Sequence, residues 1–348
     1  MKKSDVLRAW GRVLCGRTPM ISIEITRECP LRCPGCYAYE DMHLGLAGVT
    51  LRQLADFKGS ALVQAVLRLI DEHRPLHVSL VGGDPLVRYR ELEELLPQLE
   101  RRRIYVQLVT SAFRPIPIEW NRLSRLNVSV SVDGLPGEHD VRRKPATYER
   151  ILKNIAGNKV TIHCTVTGQM MNRPGYLEEF VRFWNARSET KRIWFSIFTP
   201  QVGAAAPEIP TPTQRRRAIE ELMRLRDQYP LIGMPKRMIE EFRKPPASPR
   251  DCIFARTTLS ISADLKTRIT PCQFGGTPDC SQCGCAASMG MAAVGHYRVM
   301  PGVTAGEIFA LSDLIGKRVN KLRSRAEQRD SVSYPDAVLE NVKDRDVA

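Results

Sequence analysis

The stretch Ile21–Tyr39, ISIEITRECPLRCPGCYAY, runs an apolar strand pattern straight into three closely spaced cysteines, Cys29, Cys33 and Cys36. A Cys-x3-Cys-x2-Cys spacing lets one loop wrap three irons of a cubane [4Fe–4S] cluster and leaves the fourth iron open. A zinc site would usually draw its remaining ligand from a second Cys or His pair. His43, the nearest downstream candidate, has no such partner in the sequence. Reduced thiols at ligand spacing are more often metal ligands than packing residues.

The chain holds ten cysteines, in two groups plus the singles Cys15 and Cys164. This distribution suits metal ligation and not an evenly spaced disulfide framework, so a reducing, cytoplasmic setting is expected. No segment approaches the roughly 18–20 unbroken apolar residues of a spanning helix, and the N-terminus lacks the apolar core of a signal peptide. With 348 residues and 43% hydrophobic content the chain can bury a full core. The formal charge of +14 would attract phosphates, anionic lipid or an acidic peptide. Much of it lies in Arg101–Arg103, Arg215–Arg217 and around Lys317–Arg325, each run reading most simply as a solvated helix face. No aromatic-interleaved basic stripe or nucleic-acid motif accompanies them. Residues 4–16 set Val6, Leu7, Trp10, Val13 and Leu14 at helical spacing, which predicts an amphipathic helix. Its apolar face packs on the protein, or lies on the inner membrane surface as a peripheral contact.

After the cysteine loop, apolar runs alternate with helical patterns. Strands are predicted at Ile21–Thr26, Leu76–Val81, Ile104–Thr110, Val128–Val132, Val160–Val166 and Ile193–Phe198, and helices near 51–73, 88–102, 117–125, 147–157, 173–187 and 213–228. Right-handed crossovers then imply parallel pairing in an α/β fold, a partial (β/α)6 barrel or an open sheet. In such folds ligands sit at the C-terminal strand ends.

The residues just past each predicted strand carry chemistry. Gly82-Gly83-Asp84-Pro85 follows the second, with glycines that let backbone approach a ligand closely and an acid that can meet a cation. Thr110-Ser111 closes the third, and Ser131-Val132-Asp133-Gly134 ends the fourth, where hydroxyl and carboxylate groups can bond a diol. His139-Asp140-Val141-Arg142-Arg143 comes next, offering a guanidinium for a bidentate carboxylate pair, with Arg143 slightly favoured over Arg142. In the fifth run, alternation sends one of His163 and Cys164 inward and the other outward, and a packing role is expected for either.

Taken in order, these segments resemble the radical S-adenosylmethionine (SAM) superfamily. The resemblance covers about residues 20–200. It implies a [4Fe–4S] cluster on Cys29, Cys33 and Cys36 whose open iron chelates the methionine end of SAM, and reductive cleavage of SAM to a 5′-deoxyadenosyl radical. Gly82, Gly83, Asp84 and Pro85 resemble the family's Gly-Gly-Glu-Pro segment that holds the SAM amino group, with Asp84 in place of Glu. Ser111, Ser131 and Asp133 would then face the ribose, and Arg143 the methionine carboxylate. The family usually carries an aromatic residue just before the third cysteine; here Gly35 stands there and Tyr37 follows, so Tyr37 is the aromatic candidate on the cofactor side.

Beyond a Pro- and Ala-rich connector at 199–212 and a second break at 244–250, Cys252, Cys272, Cys280, Cys283 and Cys285 crowd into a short span. The first two bracket a predicted hairpin, Thr257–Ser262 and Thr267–Thr270. This region resembles the SPASM and twitch auxiliary-cluster modules of radical SAM enzymes. One auxiliary [4Fe–4S] cluster is the economical reading, with Cys283 or Cys285 spare; a structural zinc site is its rival. Residues 306–327 are predicted as a basic helix and 328–348 as a frayed tail.

The expected layout is an N-terminal helix (1–19), a radical SAM partial barrel (20–200), a helical linker (201–249), an auxiliary-cluster region (250–295) and a basic helix with tail (296–348). The expected activity is hydrogen abstraction from an unactivated C–H bond of a lipid, isoprenoid or other small molecule, with a flavodoxin or ferredoxin as reductant. About twenty residues precede the barrel, fewer than a peptide-recognition domain needs, so a SPASM-type peptide maturase is the alternative. A zinc-stabilised binding module is the alternative outside enzymes.

Overall fold

The computed structural model describes residues 3–45 and 48–332. Its contacts gather into two units, Thr18–Glu307 on one hand and Met1–Arg17 with Ile308–Ala348 on the other.

The larger unit is built on one sheet. Met20–Glu24 (β1), His77–Val81 (β2), Tyr105–Thr110 (β3), Leu126–Ser131 (β4), Val160–Val166 (β5), Thr190–Ile197 (β6) and Thr258–Ile261 (β7) lie in the order β6-β5-β4-β3-β2-β1-β7, every pair parallel. The sheet does not close into a barrel, as its end strands β6 and β7 are not paired to each other. The strand expectations hold in kind and shift by up to three residues at their ends. Side-chain alternation divides the sheet: Ile21, Leu80, Leu108, Val130, Ile162 and Phe195 join the core on the helix side. Serines, threonines, Gln107, His163 and Trp194 stand on the other face.

The helices are Lys3–Leu14 (α1), Gly59–His73 (α2), Tyr89–Arg101 (α3), Pro136–Arg143 (α4), Tyr148–Ile155 (α5), Tyr176–Asn185 (α6), Pro212–Gln228 (α7), Lys236–Glu240 (α8), Ile253–Thr257 (α9), Ala286–Gly295 (α10) and Ala305–Val332 (α11). Several differ from the sequence pattern. The run predicted at 51–73 breaks: Leu51–Gln53 is a separate 3-10 turn and α2 begins only at Gly59, because Asp56 between them is drawn to Arg88 and Thr26. The helix expected at 117–125 is one 3-10 turn, Ile118–Arg122. α4 was not legible, being short and polar, PGEHDVRR.

The predicted hairpin is corrected in one respect. Its turn exists, with Asp264 accepting from the backbone N–H of Lys266 and Thr267 and from the Thr267 hydroxyl. Its first arm, however, is β7, which pairs in parallel with β1 at the edge of the main sheet, so the second arm keeps only a bridge, Ile261 to Arg268. The chain then crosses from that edge to the other. Ile197 on β6 donates its backbone N–H to Gly284 O (2.9 Å), and Asp279 N donates to Pro200 O (2.8 Å). A Cβ on Gly284 would lie 1.9 Å from Ile197 O, so the close approach needs glycine there.

In the smaller unit α1 lies against α11. Trp10 Nε1 donates to Ser312 Oγ (2.9 Å), and a Cβ on Gly316 would stand 2.0 Å from Val13 O. α11 runs on to Val332, past the 327 expected, and the rest of the predicted tail lies outside the described residues. Among the described residues no helix is long and apolar enough to cross a membrane.

Candidate active site

The cysteine loop leaves β1 at the C-terminal end of the sheet. Cys29, Cys33 and Cys36 are all free thiols. Cys33, Gly35 and Cys36 line an open bowl of about 570 Å³ together with Arg32, Tyr39, Glu40 and Arg52. Burial pushes the Cys29 thiol up to about 12 and Cys36 to about 11, and each is pushed further by its neighbouring thiols. Cys33 is raised by burial too, against the pull of Arg143. Three crowded thiols of this kind release their protons only to a strongly cationic partner.

The Gly82-Gly83 segment binds this loop directly. Both residues have positive φ (+79° and +43°); a Cβ on Gly82 would meet Glu24 Cβ at 2.2 Å, and one on Gly83 would meet Glu28 O at 2.1 Å. Asp84 N donates to Glu28 O (2.9 Å). The close approach these glycines allow is therefore to the first leg of the cysteine loop. Asp84 is 2% exposed and turned inward. It accepts from Leu86 N (3.0 Å), Thr110 Oγ1 (2.7 Å), Ser111 N (2.8 Å) and Ser111 Oγ (2.5 Å), and Pro85 starts the turn it caps. The Ser111 hydroxyl is thus committed to Asp84.

Beside the loop lies Asp133. Its Oδ2 takes the Nε of Arg143 (2.7 Å) and of Arg142 (3.2 Å), while its Oδ1 is buried with no hydrogen-bond partner among the described residues. Burial pushes this carboxyl up, but Arg143 and Arg142 outweigh it and hold it down at about 2. Arg142 is shared with Glu208 (2.8 Å), whereas Arg143 also lies in the field of Cys33 and Cys36. The structure brings Asp133 and Arg143 together with the cysteine loop; Ser131 stands two residues before Asp133 on β4.

Other participants were missed. His139 accepts from Asp133 N (3.0 Å) and donates through Nε2 to Ala146 O (2.8 Å), which fixes the backbone at Asp133. Burial pushes it down to about 4, so the ring is neutral. Glu24, an acid inside an apolar run, accepts from Ser262 Oγ (2.5 Å) and contacts His43 Nε2 (2.8 Å); His43 Nδ1 donates to Phe274 O (2.9 Å). His43 therefore has neither nitrogen left for a metal. Tyr37 packs edge-on to Phe274 (5.2 Å between centroids) and beside His43 (5.7 Å), against the C-terminal cysteine region.

All five C-terminal cysteines line one pocket with Phe254, Phe274 and Ser288. Ala255 N points at Cys252 Sγ (3.4 Å), and Gln273 Nε2 at Cys285 Sγ (3.4 Å). Burial and mutual repulsion push Cys272 up to about 12 and Cys280 to about 11. Among the described residues no three His, Cys, Asp or Glu side chains gather as they would around a single ion. Thiolates on separate irons of a cubane need no such convergence, and two groups of free thiols are a donor set that suits such clusters.

Residues 23–183 match the family model described as the Radical SAM superfamily. This part of the chain is a radical SAM domain. No curated protein sequence matches the chain. Among solved structures, Streptococcus suis SuiB bound to precursor peptide SuiA is similar at 16% identity and TM-score 0.51, over 75% of this chain and 61% of that one. Native anSMEcpe with bound AdoMet and Cp18Cys peptide is similar at 13% identity and TM-score 0.54, over 77% of this chain and 79% of that one. The chain thus spans about three fifths of SuiB's length. These likenesses concern the fold, which in the radical SAM domain is a parallel sheet with the cysteine loop at its C-terminal end.

Proposed function

We propose that the chain is an iron–sulfur enzyme that cleaves SAM reductively and abstracts a hydrogen atom from an unactivated C–H bond. The observation that carries this is the placing of three free thiols on one loop beside the Asp133–Arg143 pair at the C-terminal strand ends. When bound, the cluster and SAM supply the electron and the 5′-deoxyadenosyl radical. The chain's own residues hold and orient. Cys29, Cys33 and Cys36 ligate. Gly82, Gly83 and Pro85 shape the strap over the loop, with Asp84 fixing it to Thr110 and Ser111. Ser131 and the unpartnered Oδ1 of Asp133 are offered to the ribose, Arg143 to the methionine carboxylate, and Tyr37 closes the side toward the second cysteine group.

That second group, Cys252, Cys272, Cys280, Cys283 and Cys285, is proposed to hold an auxiliary [4Fe–4S] cluster through four of its members. A flavodoxin or ferredoxin is the proposed reductant. For the substrate, a peptide is preferred to a lipid or isoprenoid. The structures of similar fold include SuiB with its precursor peptide and anSMEcpe with a peptide, and the sheet face turned away from the helices carries polar side chains.

The test is anaerobic reconstitution of the chain and of a variant with Cys29, Cys33 and Cys36 all changed to Ala. Iron and sulfide should accompany the wild type, and dithionite with SAM should yield 5′-deoxyadenosine from it alone. 5′-Deoxyadenosine from the triple variant, or zinc in place of iron, would overturn the reading.

A further inference from the structure

The face of β4–β6 turned away from the helices is a hydrogen-bonding wall. In register, Ser131 pairs with His163 and His163 with Trp194. Cys164, Ile193 and Phe195 belong to the core on the helix side, so His163 and Trp194 project from the opposite one. His163, read from sequence as packing, is only partly buried.

Ser196 Oγ accepts the backbone N–H of Ala286 (3.3 Å) and lies 2.9 Å from His163 Nε2. If the Ser196 hydroxyl donates its own proton to Nε2, the neutral ring carries its proton on Nδ1. Burial pushes His163 down to about 4, in keeping with a neutral ring. Nearby on the same face, Trp194 Nε1 and Ser129 Oγ are buried with no partner among the described residues, and Ser129 is 1% exposed. Such groups are costly to leave unpaired. The wall stands on the strand that leads to Asp133 and on the two beyond it, and Ser196 ties it to Ala286, next to Cys285.

We propose that this wall positions the substrate, with His163 Nδ1–H and Trp194 Nε1–H as donors to carbonyl or hydroxyl oxygens flanking the reacting carbon, and that it disfavours a bare hydrocarbon chain. The proposal rests on the radical SAM reading of the adjacent site. A hydrocarbon would leave the donors unpaired, and a site built to bond oxygen rejects analogues without it. His163 and Trp194 are positioning residues; they do not exchange protons with the reacting carbon.

Two measurements on the full, cluster-loaded chain test this. In the first, no reductant is added and nitrogen-15 histidine spectra are recorded, the His163 signals being assigned by their loss in His163→Asn. The expected result is an Nδ1-protonated ring whose signals move on titration with N-acetylglycine methylamide and not with cyclohexane. In the second, reduced enzyme with SAM is offered either probe in perdeuterated form, and deuterium in 5′-deoxyadenosine is read by mass spectrometry. The amide should donate deuterium and cyclohexane should not. His163→Phe should cut the transfer about tenfold, the loss of one hydrogen bond, while His163→Asn, which keeps a donor, should retain most of it. Deuterium from cyclohexane, equal transfer in His163→Phe, or His163 signals indifferent to the amide would each overturn the wall. If no 5′-deoxyadenosine forms, the radical reading fails, and the histidine spectra still decide the wall.

Discussion

Glu24 and His43 meet at 2.8 Å with 2% and 0% of their side chains exposed, although nineteen residues separate them in the chain. Through Ser262 on one side and Phe274 on the other, this pair ties β1, the stretch after the cysteine loop and the C-terminal cysteine region to one point. Because Phe274 O can only accept, Nδ1 must carry a proton, and the proton on Nε2 is then the one shared with the Glu24 carboxylate.

Breaking such a pair leaves a buried charge unmatched, typically at about 3–5 kcal/mol. Glu24→Gln and His43→Phe are each expected to lower the unfolding free energy of the anaerobic protein, read from urea titration, by that order. The pH dependence has a definite sign. Burial lowers His43, but Glu24 more than offsets it and the folded value ends raised. The stabilisation is thus complete below the unfolded value of about 6.5 and is lost as pH rises through the higher folded value. The stability difference between wild type and His43→Phe should accordingly shrink at alkaline pH. A difference independent of pH would show that the pair is held by packing alone.

Asp84 and Asp133 read alike in the sequence, each an acid just past a strand, but the structure separates their roles. Asp84 spends both oxygens on Leu86, Thr110 and Ser111 inside the protein. Asp84→Ala should therefore cost stability, on the order of 2–4 kcal/mol for several donors left unpaired, before it alters SAM affinity. Asp133 keeps one buried oxygen unpartnered among the described residues and bridges two guanidinium groups. Asp133→Asn should weaken SAM binding at least tenfold while iron content stays at the wild-type level. Equal effects of the two substitutions on SAM affinity, measured by calorimetry on reconstituted protein, would erase the distinction.

The contrast shows what a sequence can and cannot convey here. Six apolar runs locate six strands, and thiol spacing locates the loop, because both signals are local. β7 reads as a hairpin arm because nothing near Thr258–Ile261 announces a parallel partner more than 200 residues earlier in the chain. The inward turn of Asp84 depends on hydroxyls at Thr110 and Ser111, one strand away. Glu24 did leave a trace, a lone acid in ISIEIT, and an acid in a buried strand asks for a partner. The identity of that partner, His43, is tertiary information.

Arg215 supplies the last prediction, on the proposed auxiliary cluster. It stands in a run of three arginines that reads as a solvated helix face, but the structure turns it inward. Its guanidinium donates to Gln282 O (3.0 Å), Cys283 O (2.7 Å) and Phe242 O (2.9 Å). These acceptors are neutral carbonyls, so the positive charge is left to act on its surroundings. Burial lowers this arginine, and Cys283 and Asp279 are the groups that pull it back up. A cation beside a cluster favours the state with the extra electron. In a background lacking Cys29, Cys33 and Cys36, Arg215→Gln should shift the midpoint potential of the remaining centre to more negative values, and Arg215→Lys should shift it less. Asp279→Asn, which removes an opposing charge, should move it the other way. Potentiometric titration followed by electron-spin resonance reads all three. Unchanged potentials at unchanged iron content would leave Arg215 as a clamp on the 282–283 backbone, whereas absence of iron in the parent background would remove the auxiliary cluster itself.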